Sequence, residues 1–349
     1  LQGREQSQRR HLAGEVPPDF RLRSLTVPSF RTGTVDALLA ERPGLQRVTV
    51  DGDRAYVLTQ LIGPVAVGDR VVCNTTAVDL GLGTGGWHVV HWNLSRDSFD
   101  GPGGGHIMKL RYTSLQVDTG AADGPGLRAG TPVVACALHS QVAVVAHAFK
   151  QVRPDASLTY VMTDSAALPL ALSDLVFELR AAGLLDATIT AGQAFGGERE
   201  AVNVRSALEL VDDGAVVVGP GPGVVGTGTT YGFGSLEVAA VLDAAVDAGG
   251  VGIVALRYSD ADPRPRHQGV SHHSTTALAL VHQDVLAAYP AGGPPPVLPQ
   301  GTPVAVPVPD LSAVTATTMG RGPADDPGFY AYAGAAGALA ASRVPLAPS

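Results

Sequence analysis

From Gly130 onward the chain repeats one rhythm of apolar run, polar loop and helix-length segment. VVACAL leads into His139-Ser140 and a helix, LTYVMTD into SAALPLALSDLVFELRAAG, and ATITAG into a helix through EAVNVRSALELV. AVVVGPGPG then leads into SLEVAAVLDAAVDAG, VGIVALRYSD into STTALALVHQDVLAAY, and PVAVPVPD into a final helix-like stretch. Strands that alternate with helices of this length cannot pair as hairpins and must lie parallel, with helices covering both faces of the sheet. In such sheets the ligand crevice lies beyond the carboxyl ends of the strands. The polar and glycine-rich segments of this chain fall at those ends.

The region before Gly130 has a different period. RTGTVDALL, LQRVTVDGD, RAYVLTQLIG, DRVVCNTTAV and WHVVHWNL read as short strands separated by Gly, Asp and Pro turns. Asp51-Gly52 suits a tight type I′ turn, which needs positive φ at both central residues. The expectation is an α/β protein: a parallel, doubly wound sheet domain (130–349) preceded by a small antiparallel β-barrel domain (30–120) of OB-like or SH3-like type. The polar, arginine-dotted residues 1–29 read as a flexible tail without the apolar core of a secretory signal. The Pro-rich run 291–301 reads as an excursion that rejoins the sheet, with a disordered tail as the other reading.

The best apolar stretch, Pro132 to Phe149, is interrupted by His139, Ser140, Gln141 and His147, so no segment reaches the roughly 18 apolar residues of a bilayer span. A cytoplasmic location without membrane contact is the expectation. The only cysteines, Cys73 and Cys136, sit in apolar β-like surroundings and read as buried thiols, which excludes a disulfide framework or a cysteine-rich zinc site. A net charge of −8 with 5% aromatic residues opposes a nucleic-acid partner, which calls for a basic patch with stacking rings. Ala/Gly/Val-rich helices that can pack closely fit a homo-oligomer.

Six segments after strands carry the unusual polar residues. His139 stands at a strand-to-helix junction, where an imidazole serves as ligand, as acid-base group or simply as a cap. Thr163, Asp164 and Ser165 stand where the next helix is expected to start, with N-capping as the plain alternative to chemistry at Asp164. In GQAFGGERE, Glu198 and Glu200 read as first-turn carboxylates after Gly196-Gly197. The stretch 219–235 holds seven glycines and four Thr/Ser residues between a strand and a helix. There Gly221, Gly223, Gly226, Thr227, Gly228 and Thr229 form a loop whose amides suit a phosphate or carboxylate, although it is neither a Walker loop nor a GxGxxG fingerprint.

The fifth segment is the most heavily charged: Asp260, Asp262, Arg264, Arg266, His267, His272 and His273. Arg264 and Arg266 suit an anion, whereas His272 and His273 suit acid-base work or a divalent metal, and a salt-bridged loop capped by Ser271 is the plain alternative. In the sixth, Arg321 lies in a glycine turn before Asp325-Asp326, as an anion contact or as their partner. Lys109 and Arg111, in the strand-like HIMKLRYT, share a face and are placed to close the crevice from the barrel side.

Together NTTAVDLGLGTGG, GHIMKLRYT, YVMTDSAALPLA, GPGVVGTGT, DPRPRHQGVSHHS and TTMGRGPADDP resemble a bacterial family catalogued as domain of unknown function 3866, over most of the chain from Phe30 to Ala341. The resemblance implies that the C-terminal stretch belongs to the folded unit, and it carries over no catalytic residue. At Ser165 it leads one to expect glycine.

Two readings follow. In one, the crevice is the site of an enzyme that hydrolyses or transfers a group on a small anionic or phosphorylated metabolite; the loop and arginines hold the anion, and His139, Asp164, His272 and His273 supply acid-base or metal chemistry. In the other, the chain is a non-catalytic ligand-binding or oligomeric scaffold protein. The sequence names no cofactor; a divalent metal is the one candidate.

Overall fold

The computed structural model describes residues 28–344 except 84, 102–103 and 121–122; the expected N-terminal tail lies outside the described residues up to residue 27. Strands β1 (Phe30–Arg42), β2 (Leu45–Val50), β3 (Asp53–Leu58), β4 (Arg70–Asn74) and β5 (His88–Asn93) form a closed barrel in the order β1-β2-β3-β5-β4. β1 and β4 close it antiparallel, and β3 and β5 run parallel, the arrangement of an OB-type barrel. Asp51 and Gly52 both have positive φ, at 48° and 86°, so the β2–β3 hairpin turns as its Asp-Gly pair requires. Val48, Val57 and Val71, each fully buried, fill its interior. Two single-turn helices, α1 (Thr59–Ile62) and α2 (Thr76–Asp79), follow β3 and β4.

A short hairpin, β6 (Ile107–Lys109) and β7 (Val117–Thr119), separates the barrel from the sheet. The sheet has eight parallel strands: β8 (Pro132–Cys136), β9 (Leu158–Thr163), β10 (Ala187–Ala191), β11 (Arg199–Ala201), β12 (Ala215–Pro220), β13 (Val251–Ala255), β16 (Leu286–Pro290) and β17 (Thr302–Val306). Their order is β11-β10-β9-β12-β8-β13-β16-β17. A two-stranded ribbon, β14 (Tyr258–Ser259) with β15 (Gly269–Val270), frames the 260–268 loop.

Neighbouring residues of β8 belong to different cores, as a strand buried on both faces requires. Val134 and Cys136 pack with α3 (His139–Val152), α4 (Asp174–Ala181) and α8 (Pro327–Arg343). Val133 and Ala135 pack with α5 (Val204–Glu209), α6 (Val238–Asp247) and α7 (His272–Leu278). The close packing that small residues allow is used inside the chain: α8 lies so near α3 that a Cβ at Gly337 would stand 2.3 Å from the Val145 carbonyl oxygen. Cys73 and Cys136 are buried free thiols; burial pushes Cys73 up to about 11 and Cys136 higher still, which keeps both in the unreactive form.

Three helix expectations change. The helix expected from SAALPLAL begins only at Asp174, where the Ser173 hydroxyl accepts the Val176 amide. EAVNVRSALELV opens as edge strand β11 and turns helical only at Val204. LAAYP is strand β16, whose main chain pairs with both β13 and β17; that ladder overrides the modest helix preference of Leu and Ala. No helix of the described residues is long and apolar enough to cross a membrane.

Candidate functional site

The chain leaves β8 toward one face of the sheet, through α3, and leaves the adjacent β12 toward the other, through α6. Two loops departing in opposite directions from neighbouring strands must part, and a crevice opens between them. Here it is a cleft of about 520 Å³, lined by Leu138–Ser140 after β8, Pro222–Thr227 after β12, residues after β13, and Ala316–Met319 ahead of α8. Buried Gln141 braces the floor: its Oε1 accepts the Ala137 and Leu138 amides and its Nε2 donates to the Ala255 carbonyl.

Arg257, Arg264, Arg266, His267 and His273 line the cleft, and among the described residues no Asp or Glu does. Asp262, 1% exposed, lies behind this wall. Its carboxylate accepts both ends of the Arg264 fork at 2.9 and 2.8 Å and faces Arg257 and Arg321 at 3.8 and 3.7 Å. The Arg264 hydrogen bonds hold Asp262 well below the usual carboxylate range despite its burial. Burial, then repulsion by Arg264, lowers Arg257 to about 10, so it remains a cation at neutral pH. Arg266 is exposed and has no carboxylate partner among the described residues.

The imidazoles of His267, His272 and His273 crowd together, with one ring nitrogen from each within 4.8 Å of the others. His267 Nδ1 meets the Ser271 hydroxyl at 2.7 Å, and His273 Nδ1 accepts Arg257 Nη1 at 3.0 Å. The Nε2 atoms of His267 and His272 are buried without a partner. Burial, reinforced by Arg257, pushes His267 down to about 4 and His273 to about 3; His272 is lowered by burial and then by Arg266. All three are therefore neutral at pH 7.

The glycine-rich loop folds into a flap. Gly226 bridges to Phe233, the Thr227 amide donates to the Gly232 carbonyl, and the Gly234 amide to that of Val225. Its base is pinned to the histidines, because the Phe233 ring stacks on His273 at 3.8 Å and 5°. Gly223, Gly226 and Thr227 face the cleft, whereas Gly228 and Thr229 belong to the exposed tip, where Thr229 Oγ1 meets Thr227 Oγ1 at 2.8 Å. Gly221 serves packing: a Cβ there would stand 2.5 Å from the Ala167 carbonyl oxygen.

Of the other residues singled out from sequence, His139 lines the cleft but is engaged at both nitrogens, by the Pro220 carbonyl at 2.9 Å and by the Ser173 hydroxyl at 2.7 Å. Burial lowers it to about 4, and it bridges three strand-end loops. Ser173 beside it is 3% exposed and caps α4, so the pair is a structural clasp without an accessible nucleophile. Asp164 lies outside the cleft lining, accepting the Gln193 amide at 2.8 Å. Thr163 and Ser165 donate their hydroxyls to half-buried Glu237 at 2.5 and 2.6 Å, and desolvation raises its pKa. His272 lies behind His267 and His273, outside the lining, and Arg321 likewise stands behind it, bonded to buried Asp326 at 3.1 Å.

Lys109 is placed far from its expected role. It is fully buried, donates to the carbonyls of Thr190, Ala194 and Ala201, and pairs with Glu200 at 3.0 Å. Positive φ at Leu110 and Tyr112 ends β6 at Lys109, so exposed Arg111 does not share its face and donates to the Met108 carbonyl instead. Glu198 and Glu200 are likewise structural carboxylates on an edge strand and its approach, with Glu198 paired to Arg180.

Arg257 and His267 matter more to the cleft than their sequence context suggested. Arg257 follows the apolar run GIVAL directly, and a cation at that junction is the signal that could have marked it. The partner that defines His267, Ser271 four residues on, is visible in sequence only as a helix cap.

Among known families, the one described as "Protein of unknown function (DUF3866)" matches residues 54–292, which include the flap, the arginines and all three histidines. No curated protein matches the chain.

Proposed function

We infer the function of this chain, which belongs to the DUF3866 family, from its cleft: it is an anion-binding site at which a small anionic or phosphorylated metabolite undergoes hydrolysis or group transfer. The observation that carries the reading is the lining itself. Among the described residues, three arginines and no carboxylate line a cleft in a chain of net charge −8, and one of them, Arg266, has no carboxylate partner there. Clustered cations in excess of their counter-charge are stabilised by a bound anion, and guanidinium forks suit carboxylate and phosphate oxygens. The α3 N-terminus, with His139 and Ser140 on the lining, adds its partial positive charge to the same space. Neutral imidazoles with unpartnered nitrogens stand against this wall, and they favour chemistry over simple storage. A non-catalytic sensor is the second reading; the Phe233–His273 stack favours it, because a ligand touching His273 would be felt by the flap.

The test is a thermal-shift and calorimetric titration with inorganic phosphate, pyrophosphate, sugar phosphates, nucleotides and dicarboxylates, followed by a hydrolysis assay on those that bind. Saturable binding, weakened at least tenfold in Arg264→Ala and Arg266→Ala, is expected. Absence of binding by every anion, or binding indifferent to both substitutions, overturns the reading. Binding without turnover selects the sensor.

A further inference from the structure

Three clustered histidines invite a metal, and the hydrogen bonds around them argue otherwise. A metal takes the lone pair of a neutral imidazole nitrogen, so the decisive question is where each ring carries its proton. For His273 the answer is forced. A guanidinium can only donate, so Nδ1, which accepts Arg257 Nη1 at 3.0 Å, has no proton, and the neutral ring carries its hydrogen on Nε2.

For His267 the answer comes from Ser271, which is fully buried. The Ser271 oxygen already accepts the His273 amide at 3.2 Å, and His267 Nδ1, at 2.7 Å, is the one acceptor within reach of its hydroxyl hydrogen among the described residues. Ser271 therefore donates to Nδ1, and the His267 proton also sits on Nε2, a buried atom without a partner. Moving it to Nδ1 would strand the serine hydroxyl; moving the proton of His273 would set N–H against N–H at Arg257.

We propose that the His267–His273 pair is an oxyanion receptor, presenting Nε2–H donors to a tetrahedral phosphate- or sulfate-type anion beside Arg257, Arg264 and Arg266, and that the three-histidine cluster does not take up a divalent metal. This rests on the reading of the cleft as an anion site and specifies its chemistry. The charged groups facing the pair, Arg257, Arg264, Arg266 and buried Asp262, sum to an excess of positive charge that attracts an oxyanion and repels a dication. Neutral N–H donors beside guanidinium groups also leave recognition independent of imidazole protonation near neutral pH.

The experiment uses the full chain and three probes: sulfate, which stays a dianion from pH 6 to 8, inorganic phosphate, and Zn²⁺ alone. Sulfate is expected to bind at one equivalent with the same Kd at pH 6 and pH 8, at least tenfold more weakly in His267→Phe and His273→Phe, and Zn²⁺ to show no stoichiometric binding. Long-range ¹H–¹⁵N spectra of the wild-type protein should show both rings as the Nε2–H tautomer, a readout that survives if a variant fails to fold. One equivalent of Zn²⁺ removed by His267→Phe, the Nδ1–H tautomer, or sulfate affinity that falls tenfold as pH rises overturns the proposal. If sulfate binding is lost in Arg266→Ala but unchanged in both histidine variants, the anion site stands and the receptor assignment falls. If no anion binds at all, both fall.

Discussion

Among the described residues, basic groups gather in two regions that are built on opposite terms. At the junction between barrel and sheet, Lys109 is surrounded by three carbonyls and a carboxylate, while Arg42 and Arg47 both meet Asp174. At the crevice between β8 and β12, Arg257, Arg264 and Arg266 face open volume with Asp262 behind them. The first arrangement is complete in itself and serves architecture. The second lacks a negative partner on its open side, so position at a strand end does not by itself distinguish a site; the sum of charges does.

The largest effect that would test this contrast is at Lys109. Lys109→Met leaves Glu200 buried without its cation, and breaking a buried pair costs about 3–5 kcal/mol, read as a lowered urea midpoint; anion affinity of the folded fraction should not change. A variant as stable as the wild type would remove the distinction between the two regions.

Acid is the next lever. His139 and His267 sit at about 4 and His273 at about 3 in the folded chain, below their ordinary value near 6.5 when unfolded. Between those values the unfolded chain holds more protons. Stability is therefore fully present above about pH 6.5 and falls as pH drops toward 4, by at most about 1.4 kcal/mol per pH unit for each histidine. Denaturation midpoints measured from pH 8 to 4 should bend near 6.5, and a flat profile would contradict the burial of these rings.

Arg266→Ala should leave the urea midpoint within about 0.5 kcal/mol of the wild type, because the side chain is exposed, yet weaken anion binding by about 1.5–3 kcal/mol, the range of a charged hydrogen bond. Equal effects on both readouts would make Arg266 another structural cation. The smallest change is expected for Asp164→Ala, which removes one hydrogen bond to the Gln193 amide: a loss of about 1 kcal/mol in stability and none in anion affinity. A tenfold loss of affinity there would extend the site across β9.

How far the site can be read from sequence differs with how local each determinant is. The alternation that predicts a parallel sheet is local, and so is the Asp51-Gly52 turn, whose positive φ angles follow from residue type. The flap loop and the 264–273 segment are legible as polar stretches at strand ends, and the cleft joins them. Lys109 reads as a crevice residue only if β6 continues; left-handed backbone at Leu110 and Tyr112, unusual for those residues, ends it. Asp164 reads as an N-cap because nothing local says that its helix starts ten residues later, at Asp174.

By itself the amino-acid sequence determined the class of fold and the ends of the strands where polar residues gather, because side-chain periodicity dictates which faces must be buried. Tertiary structure alone decided which of those polar ends share one cleft, which cations find acceptors, and where the protons of His267 and His273 reside. These depend on partners brought together by strand order: Gln193 for Asp164, Glu200 for Lys109, and Arg257 for His273. A hydrogen bond or ion pair is defined by distance in space, and the sheet order β9-β12-β8-β13 sets that distance with no counterpart in chain order.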